Sequence, residues 1–143
     1  MQVDLSRPLD FFPRESVQGL VHAHVLEHVP GDLHRIVKQM NEIIAPGGFH
    51  TFCIPFFSRW YREDMDPEMP ASERDRIYGQ YDHVRSFGTN DTEDRVLSLF
   101  DGFERIHIDK VYSEDELARN AIPAHAVTSL TSHTVFHFVK KIR

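Results

Sequence analysis

The sequence predicts an α/β fold, because segments with strand and helix patterns alternate along most of its length. Residues 16–25 are rich in apolar and β-branched side chains, which favours a buried strand. From Leu33 to Ile44, apolar residues recur at three- and four-residue steps, as they do on one face of a helix. The apolar run from Phe49 to Pro55 is typical of a strand in the middle of a sheet. Together these segments predict a strand, helix, strand unit.

Turn signals set the limits of these elements. The helix is expected to begin at about Gly31 and to end at the segment Pro46-Gly47-Gly48. Proline disfavours a helical conformation in the residue before it, and glycine accepts the positive φ of a tight turn. Residues 1–5 have the composition of the tail of one further strand.

The second half of the chain continues the alternation of elements. The pattern predicts a short helix over 71–78 and another helix over 91–100, which Gly102 follows. Alternating apolar and polar residues over 103–112 and 134–139 predict two final strands, which we expect to be antiparallel. All 143 residues are expected to form a single domain.

Composition disfavours several classes of partner. The net charge is −6, so the chain has no overall positive field that would attract nucleic acid or an anionic membrane surface. No apolar stretch approaches the roughly 20 residues that span a bilayer, and the N-terminus lacks the pattern of a secretory signal. Cys53 is the only cysteine, which excludes a disulfide within the chain and favours the cytoplasm.

Strings of residues in a fixed order carry a family resemblance. They are Asp4-Leu5, Ser16-Val17-Gln18-Gly19, His24-Val25-Leu26-Glu27-His28-Val29-Pro30, Ile43-Ile44-Ala45-Pro46-Gly47-Gly48, the run from Tyr78 to Gly88, and Asp101-Gly102-Phe103. In this order the chain resembles the class I S-adenosylmethionine-dependent methyltransferases, specifically the group that methylates small molecules. The last two strings also resemble a bacterial subgroup of these enzymes.

The resemblance implies an incomplete Rossmann-like methyltransferase sheet, with central parallel strands and an antiparallel C-terminal strand pair. It begins at the end of the family's third strand, so the first two strands and the glycine-rich loop have no counterpart in these residues. That loop approaches the cofactor closely in the family. We therefore expect weak or absent binding of S-adenosylmethionine by the chain alone. An uncovered sheet edge also leads us to expect a homodimer or a partner chain.

The same resemblance implies a cofactor site at the carboxyl ends of the strands. Asp4 and Leu5 are expected near the adenine, although Asp4 is equally well explained as the cap of a turn. His22 and His24 are expected near the methionine portion of the cofactor or near the acceptor, and packing explains His24 about as well. For Glu27 we favour a structural role at the start of a helix.

The histidines near this strand also raise the question of a metal ion. His22 and His24 are two residues apart, which on a strand places them on one face, and Glu27 and His28 are close in sequence. This spacing does not match a zinc motif, and the family needs no metal for methyl transfer. The sequence therefore predicts no metal site.

Residues 56–88 form an aromatic and charged segment that we interpret as a substrate lid inserted into the domain. Trp60, Tyr61, Arg62 and Arg85 are candidate contacts of the acceptor. His83 beside Asp82 is the candidate acid or base. An internal ion pair between Asp82 and Arg85 is the structural alternative.

Two hypotheses about function follow from these residues. The first is methyl transfer from S-adenosylmethionine to an oxygen or nitrogen atom of a small molecule. The second is a non-catalytic, truncated methyltransferase-like subunit that binds a partner through its sheet edge.

Overall fold

The structure is a computed structural model that describes residues 2–142. Its centre is a four-stranded sheet in the order β1-β2-β7-β6, formed by Val17–Ala23, Ile44–Cys53, Phe136–Lys140 and Phe103–Ile106. β1 and β2 are parallel, whereas β7 is antiparallel to both of its neighbours. The predicted α/β class, the parallel centre and the antiparallel C-terminal pair are confirmed.

Helix α1 spans Leu33–Ile43 and connects the two parallel strands. The carboxylate of Asp32 accepts hydrogen bonds from the backbone N–H groups of His34 and Arg35, which caps the first turn. The apolar positions of α1 are buried against the sheet, as the spacing predicts.

The junction between α1 and β2 differs from the predicted turn and new strand at Phe49. β2 begins at Ile44, directly after the helix, and the segment Ala45–Gly48 forms an irregularity within it. Gly47 has a φ of 77°, and a Cβ at Gly48 would lie 2.4 Å from the Gln18 backbone oxygen. The glycines therefore allow close contact with β1 where a turn was predicted.

Residues 2–4 form no strand in the structure, contrary to the expectation for this segment. Met1, which belonged to the same prediction, lies outside the described residues. A 3-10 turn at Pro8–Asp10 follows and contacts α1.

The core lies on one face of the sheet. Alternate residues of β2 and β7, including Phe52, Phe136 and Phe138, are buried with the apolar face of α1. The ring of Phe100 stacks on Phe52 and Phe138, with centroid distances of 5.3 and 4.1 Å. On the opposite face Val21 of β1 is 74% exposed. The sheet is thus covered on one face and open at β1 on the other.

Residues 56–88 form a second, smaller layer. β3 (Phe56–Ser58) and β4 (Arg62–Glu63) pair with β5 (Arg85–Gly88), in parallel and antiparallel orientation respectively. Helix α2 spans Ala71–Tyr78, as predicted, and ends at Gly79, whose φ is 88°.

The segment after β5 is less regular than its pattern predicts. In place of one helix over 91–100, the chain forms α3 (Thr92–Arg95) and a 3-10 turn at Leu97–Leu99. The predicted strand over 103–112 ends at Ile106, and three short helices follow: α4 (Ile108–Val111), α5 (Glu114–Arg119) and α6 (His125–Thr128). Within residues 2–142, no helix is long and apolar enough to cross a membrane.

Candidate functional site

The carboxyl ends of β1 and β2 lie side by side because these strands are parallel. His24 follows β1 directly, and its backbone N–H donates to the carbonyl of Cys53 at 3.1 Å. Its φ is 53°, in the left-handed region that residues other than glycine seldom occupy. This conformation ends the strand at Ala23. The prediction that His22 and His24 share one strand face is therefore wrong. Strained backbone of this kind occurs often at functional sites.

Arg85 holds the loop that follows β1. Its side chain is 0% exposed, and its guanidinium donates to the carbonyls of Leu26, Val29 and Gly31 at 2.5 to 2.6 Å. Its Nε lies 3.5 Å from an Oε2 of Glu63. The candidate acceptor contact is therefore already committed to protein groups, and its ion-pair partner is Glu63, not Asp82.

Glu27 lies inside this loop with its carboxylate buried. The side chain is 1% exposed, and neither carboxylate oxygen has a hydrogen-bond partner among the described residues. Oε1 lies 3.7 Å from His24 Nδ1 and 3.9 Å from His28 Nε2. The backbone oxygen of Glu27 accepts from the N–H of Val84, which joins the loop to the start of β5.

His83 and Asp82 lie beside this carboxylate but do not form a pair with each other. His83 Nδ1 is 2.8 Å from the carbonyl of Tyr78, whereas Asp82 Oδ2 is 3.1 Å from His28 Nδ1. The rings of His28 and His83 meet edge to face at 4.6 Å. Glu27, His28 and His83 each offer one ligand atom, and these atoms all lie within 4.8 Å of one another.

Arg74 fixes this arrangement from α2. Its buried guanidinium donates to the carbonyls of His83, at 3.1 Å, and of Asp64 and Asp66. Nothing in the sequence pattern singled out Arg74, because a charged residue on a short polar helix gives no sign of three carbonyl partners.

His22 belongs to a separate chain of hydrogen bonds under the sheet. The amide of Asn41 donates to the carbonyl of Leu99, so its oxygen faces His50 Nδ1 at 2.8 Å and must accept the proton there. His50 Nε2 is then the acceptor for His22 Nε2–H at 2.9 Å. Burial lowers the pKa of His22 to about 4 and that of His50 to about 3, so both rings are neutral at pH 7.

The candidate acceptor residues of the smaller layer occupy two environments. Trp60 is 57% exposed, and Arg62 on β4 is also exposed. Tyr61 is partly buried, and its hydroxyl donates to Glu63 Oε2 at 2.5 Å. Burial, together with this hydrogen bond, raises the pKa of Tyr61 well above its ordinary value. Trp60 and Arg62 are accessible to a ligand, whereas Tyr61 is part of the layer's internal contacts.

Asp4 lies in an exposed turn. Its carboxylate accepts from the hydroxyl and the backbone N–H of Ser6, at 2.7 and 2.9 Å, and these bonds lower its pKa. The turn-capping arrangement considered from the sequence is present. Leu5 is half-buried and packs against the core.

A cavity of about 780 Å³ lies in the C-terminal region, among β6, the helices α4 to α6 and the segment before β7. Ile106, Tyr112, Leu117, Ala126 and Val135 give it an apolar lining. No sequence pattern predicts this cavity, because the elements that line it are too short to show a clear period.

Comparison with known proteins gives the fold a family context. No protein-family model and no curated protein matches the sequence. Solved structures do match. A methyltransferase dependent on S-adenosylmethionine from Mesorhizobium loti is 13% identical, with a TM-score of 0.53 over 98% of this chain and 68% of that one. Another, from Archaeoglobus fulgidus, is 11% identical, with a TM-score of 0.51 over 99% of this chain and 66% of that one.

A third similar structure has two bound ligands. It is the 1,6-didemethyltoxoflavin-N1-methyltransferase of Burkholderia thailandensis, with 1,6-didemethyltoxoflavin and S-adenosylhomocysteine. It is 12% identical, with a TM-score of 0.50 over 96% of this chain and 48% of that one. This chain thus spans half to two thirds of the length of these proteins. It has the fold of the class I S-adenosylmethionine-dependent methyltransferases.

Proposed function

We propose that this chain takes part in methyl transfer from S-adenosylmethionine to an oxygen or nitrogen atom of a small molecule. One observation carries the proposal: almost the whole chain superposes on methyltransferases, with the antiparallel β7 between β2 and β6. The parallel ends of β1 and β2 converge at the strained residue His24. Open α/β sheets bind their ligands at such ends.

The proposed cofactor contacts are Asp4, Leu5, His22 and His24. Of these, His24 is favoured by its position at the strand end and by its 46% exposed side chain. The carboxylate of Asp4 is exposed to solvent, so it can accept a hydrogen bond from an amine in addition to its bonds from Ser6. His22 Nδ1 is an unprotonated nitrogen with no partner among residues 2–142. When bound, S-adenosylmethionine supplies the activated methyl group.

Residues 56–88 are proposed as the lid over the acceptor. Trp60 offers an aromatic surface for stacking, and Arg62 offers a cation for an acidic group. Arg85 positions the loop after β1. His83 Nε2 is the proposed acceptor of a proton from the small molecule, because its Nδ1–H is held by Tyr78. Asp82 is proposed to orient the neighbouring ring of His28 through its contact with His28 Nδ1.

Isothermal titration calorimetry of the 143-residue chain with S-adenosylmethionine tests this function. If the chain acts alone, binding should be saturable, weaken in the variant His24→Ala and stay unchanged in the variant His125→Ala, which alters an exposed histidine on α6. Absence of binding would contradict methyl transfer by this chain alone. Transfer of a labelled methyl group to a panel of phenols and amines would then be measured with and without candidate partners.

The second candidate is a non-catalytic interaction module, and the open side of β1 favours it. Val21 is 74% exposed on this strand, whose only neighbour among the described residues is β2. Such an edge can pair with another chain, including a second copy. Light scattering after size exclusion distinguishes the candidates: association that is lost in Val21→Lys but kept in Val111→Lys supports the module. A monomer at all concentrations counts against a homodimer.

A further inference from the structure

Glu27 has an unusual environment for a carboxylate. It is 1% exposed, and its two oxygens have no hydrogen-bond donor among the described residues. A buried carboxylate charge without a partner costs several kcal/mol, and a cation beside it offsets that cost. Nitrogen atoms of His24 and His28 lie 3.7 and 3.9 Å from its Oε1. These separations exceed hydrogen-bond length.

Hydrogen-bond acceptors fix the tautomers of two histidines near Glu27, His28 and His83. The carbonyl of Tyr78 can only accept, so His83 carries its proton on Nδ1 and has a lone pair on Nε2. The carboxylate of Asp82 acts in the same way on His28 Nδ1 at 3.1 Å. A metal-binding histidine usually donates its second N–H to a carbonyl or a carboxylate. Both residues have this outer arrangement.

The ligand atoms of Glu27, His28 and His83 lie within 4.8 Å of one another. Ligands of a tetrahedral ion with bonds of about 2.0–2.1 Å lie about 3.3 Å apart. Side-chain rotations that shorten these separations by about 1.5 Å would bring the atoms to that spacing, and the 34% exposed side chain of His28 has solvent on one side for such a rotation. Its exposed edge also gives an ion a path from solvent.

We propose that Glu27, His28 and His83 bind one divalent transition-metal ion, with Zn²⁺ as the representative probe. Two imidazoles and one carboxylate suit Zn²⁺ and similar ions better than Mg²⁺ or Ca²⁺, which prefer oxygen ligands. Three protein ligands leave a position open for water or an oxygen atom of a ligand. This site is beyond the proposed methyl transfer. An ion bound at His83 Nε2 would occupy the lone pair that is otherwise proposed to accept a proton. The ion would then polarise the acceptor oxygen in place of proton transfer to His83.

Calorimetry with Zn²⁺ on the full chain, treated with chelator and free of S-adenosylmethionine, tests the site. We expect one ion per chain, with affinity at least about 100-fold weaker in Glu27→Gln and His83→Gln. Loss of the outer carboxylate in Asp82→Asn should weaken binding by about 10- to 100-fold. His125→Gln removes an exposed histidine on α6 and should leave binding unchanged.

The absorption spectrum of bound Co²⁺ gives a second measurement, and circular dichroism confirms that each variant is folded. Should Glu27→Gln fail to fold, His28→Gln decides, since this ring is partly exposed and its loss is tolerated more easily. Unsaturable binding, or equal affinity in the His28 and His83 variants and the original chain, overturns the proposal. Equal loss in His125→Gln does the same, because it indicates binding to surface histidines. Since no cofactor is present, these outcomes are separate from those for methyl transfer.

Discussion

Acid should destabilise this fold through His22 and His50. Both are neutral in the folded chain, where burial lowers their pKa values to about 4 and about 3. In the unfolded chain a histidine has a pKa near 6.5. Between these values the unfolded state binds more protons than the folded state, so the free energy of unfolding rises with pH. The stabilisation is present above about pH 6.5 and is lost as the pH falls toward 4.

The size of the effect follows from the two shifts. Between about pH 7.5 and about pH 4.5, each fully buried histidine lowers the free energy of unfolding by about 2.5 kcal/mol. Solvent near the partly exposed His22 reduces its share to about 1–2 kcal/mol. The pair is therefore expected to lower the free energy of unfolding by roughly 4 kcal/mol, a large part of the stability of a small domain.

Urea unfolding followed by circular dichroism at the two pH values measures this loss. His22→Gln keeps an N–H that can donate to His50 Nε2 but removes one titrating group, so its loss should be smaller by about 1–2 kcal/mol. His34→Gln, on the exposed side of α1, serves as the matched control and should behave like the original chain. If His22→Gln loses as much stability on acidification as the original chain, the assignment of the shift to this pair is wrong.

Two substitutions and one reactivity measurement probe the packing. Arg85→Met leaves three loop carbonyls without their donor and should lower the free energy of unfolding by about 3–5 kcal/mol in urea, whereas Arg76→Met, at an exposed site, should change it little. Gly48→Ala places a Cβ 2.4 Å from the Gln18 backbone oxygen and should cost about 1–3 kcal/mol, measured by thermal unfolding; an unchanged melting temperature would contradict the close contact. Because burial raises the pKa of the Cys53 thiol, its reaction with a disulfide reagent at neutral pH should be slower than that of the unfolded chain, and equal rates would refute this.

The elements that the sequence predicted well are those with a strong local signal. The period of α1 and the apolar run of β2 are properties of neighbouring residues, and both elements are present. Pro46-Gly47-Gly48 was misread because the same residues that make a turn also allow an irregular strand to lie against β1. That choice depends on a contact with Gln18, which no local pattern contains.

The candidate site shows the same limit more clearly. Glu27 and His28 are adjacent, and the sequence drew attention to them, but their partner His83 is far along the chain. Asp82 and His83 looked like a pair because they are neighbours, whereas the structure gives each a different partner. The tautomer of a histidine is decided by the acceptor it meets, and that acceptor is a tertiary contact.

The contacts of Arg85 also limit how residues 56–88 can act as a lid. Its guanidinium joins β5 to the loop after β1, and the Val84 N–H donates to the backbone carbonyl of Glu27 in the same loop. Lifting the whole segment would break these buried contacts together, at a cost of about 3–5 kcal/mol for the charged group alone. Residues 59–82 are tied to the same junction, because the Arg74 guanidinium and the Tyr78 carbonyl both hold His83. Closure over an acceptor is therefore cheaper as a rotation of the exposed side chains of Trp60 and Arg62, and this leaves Glu27 and His83 in place.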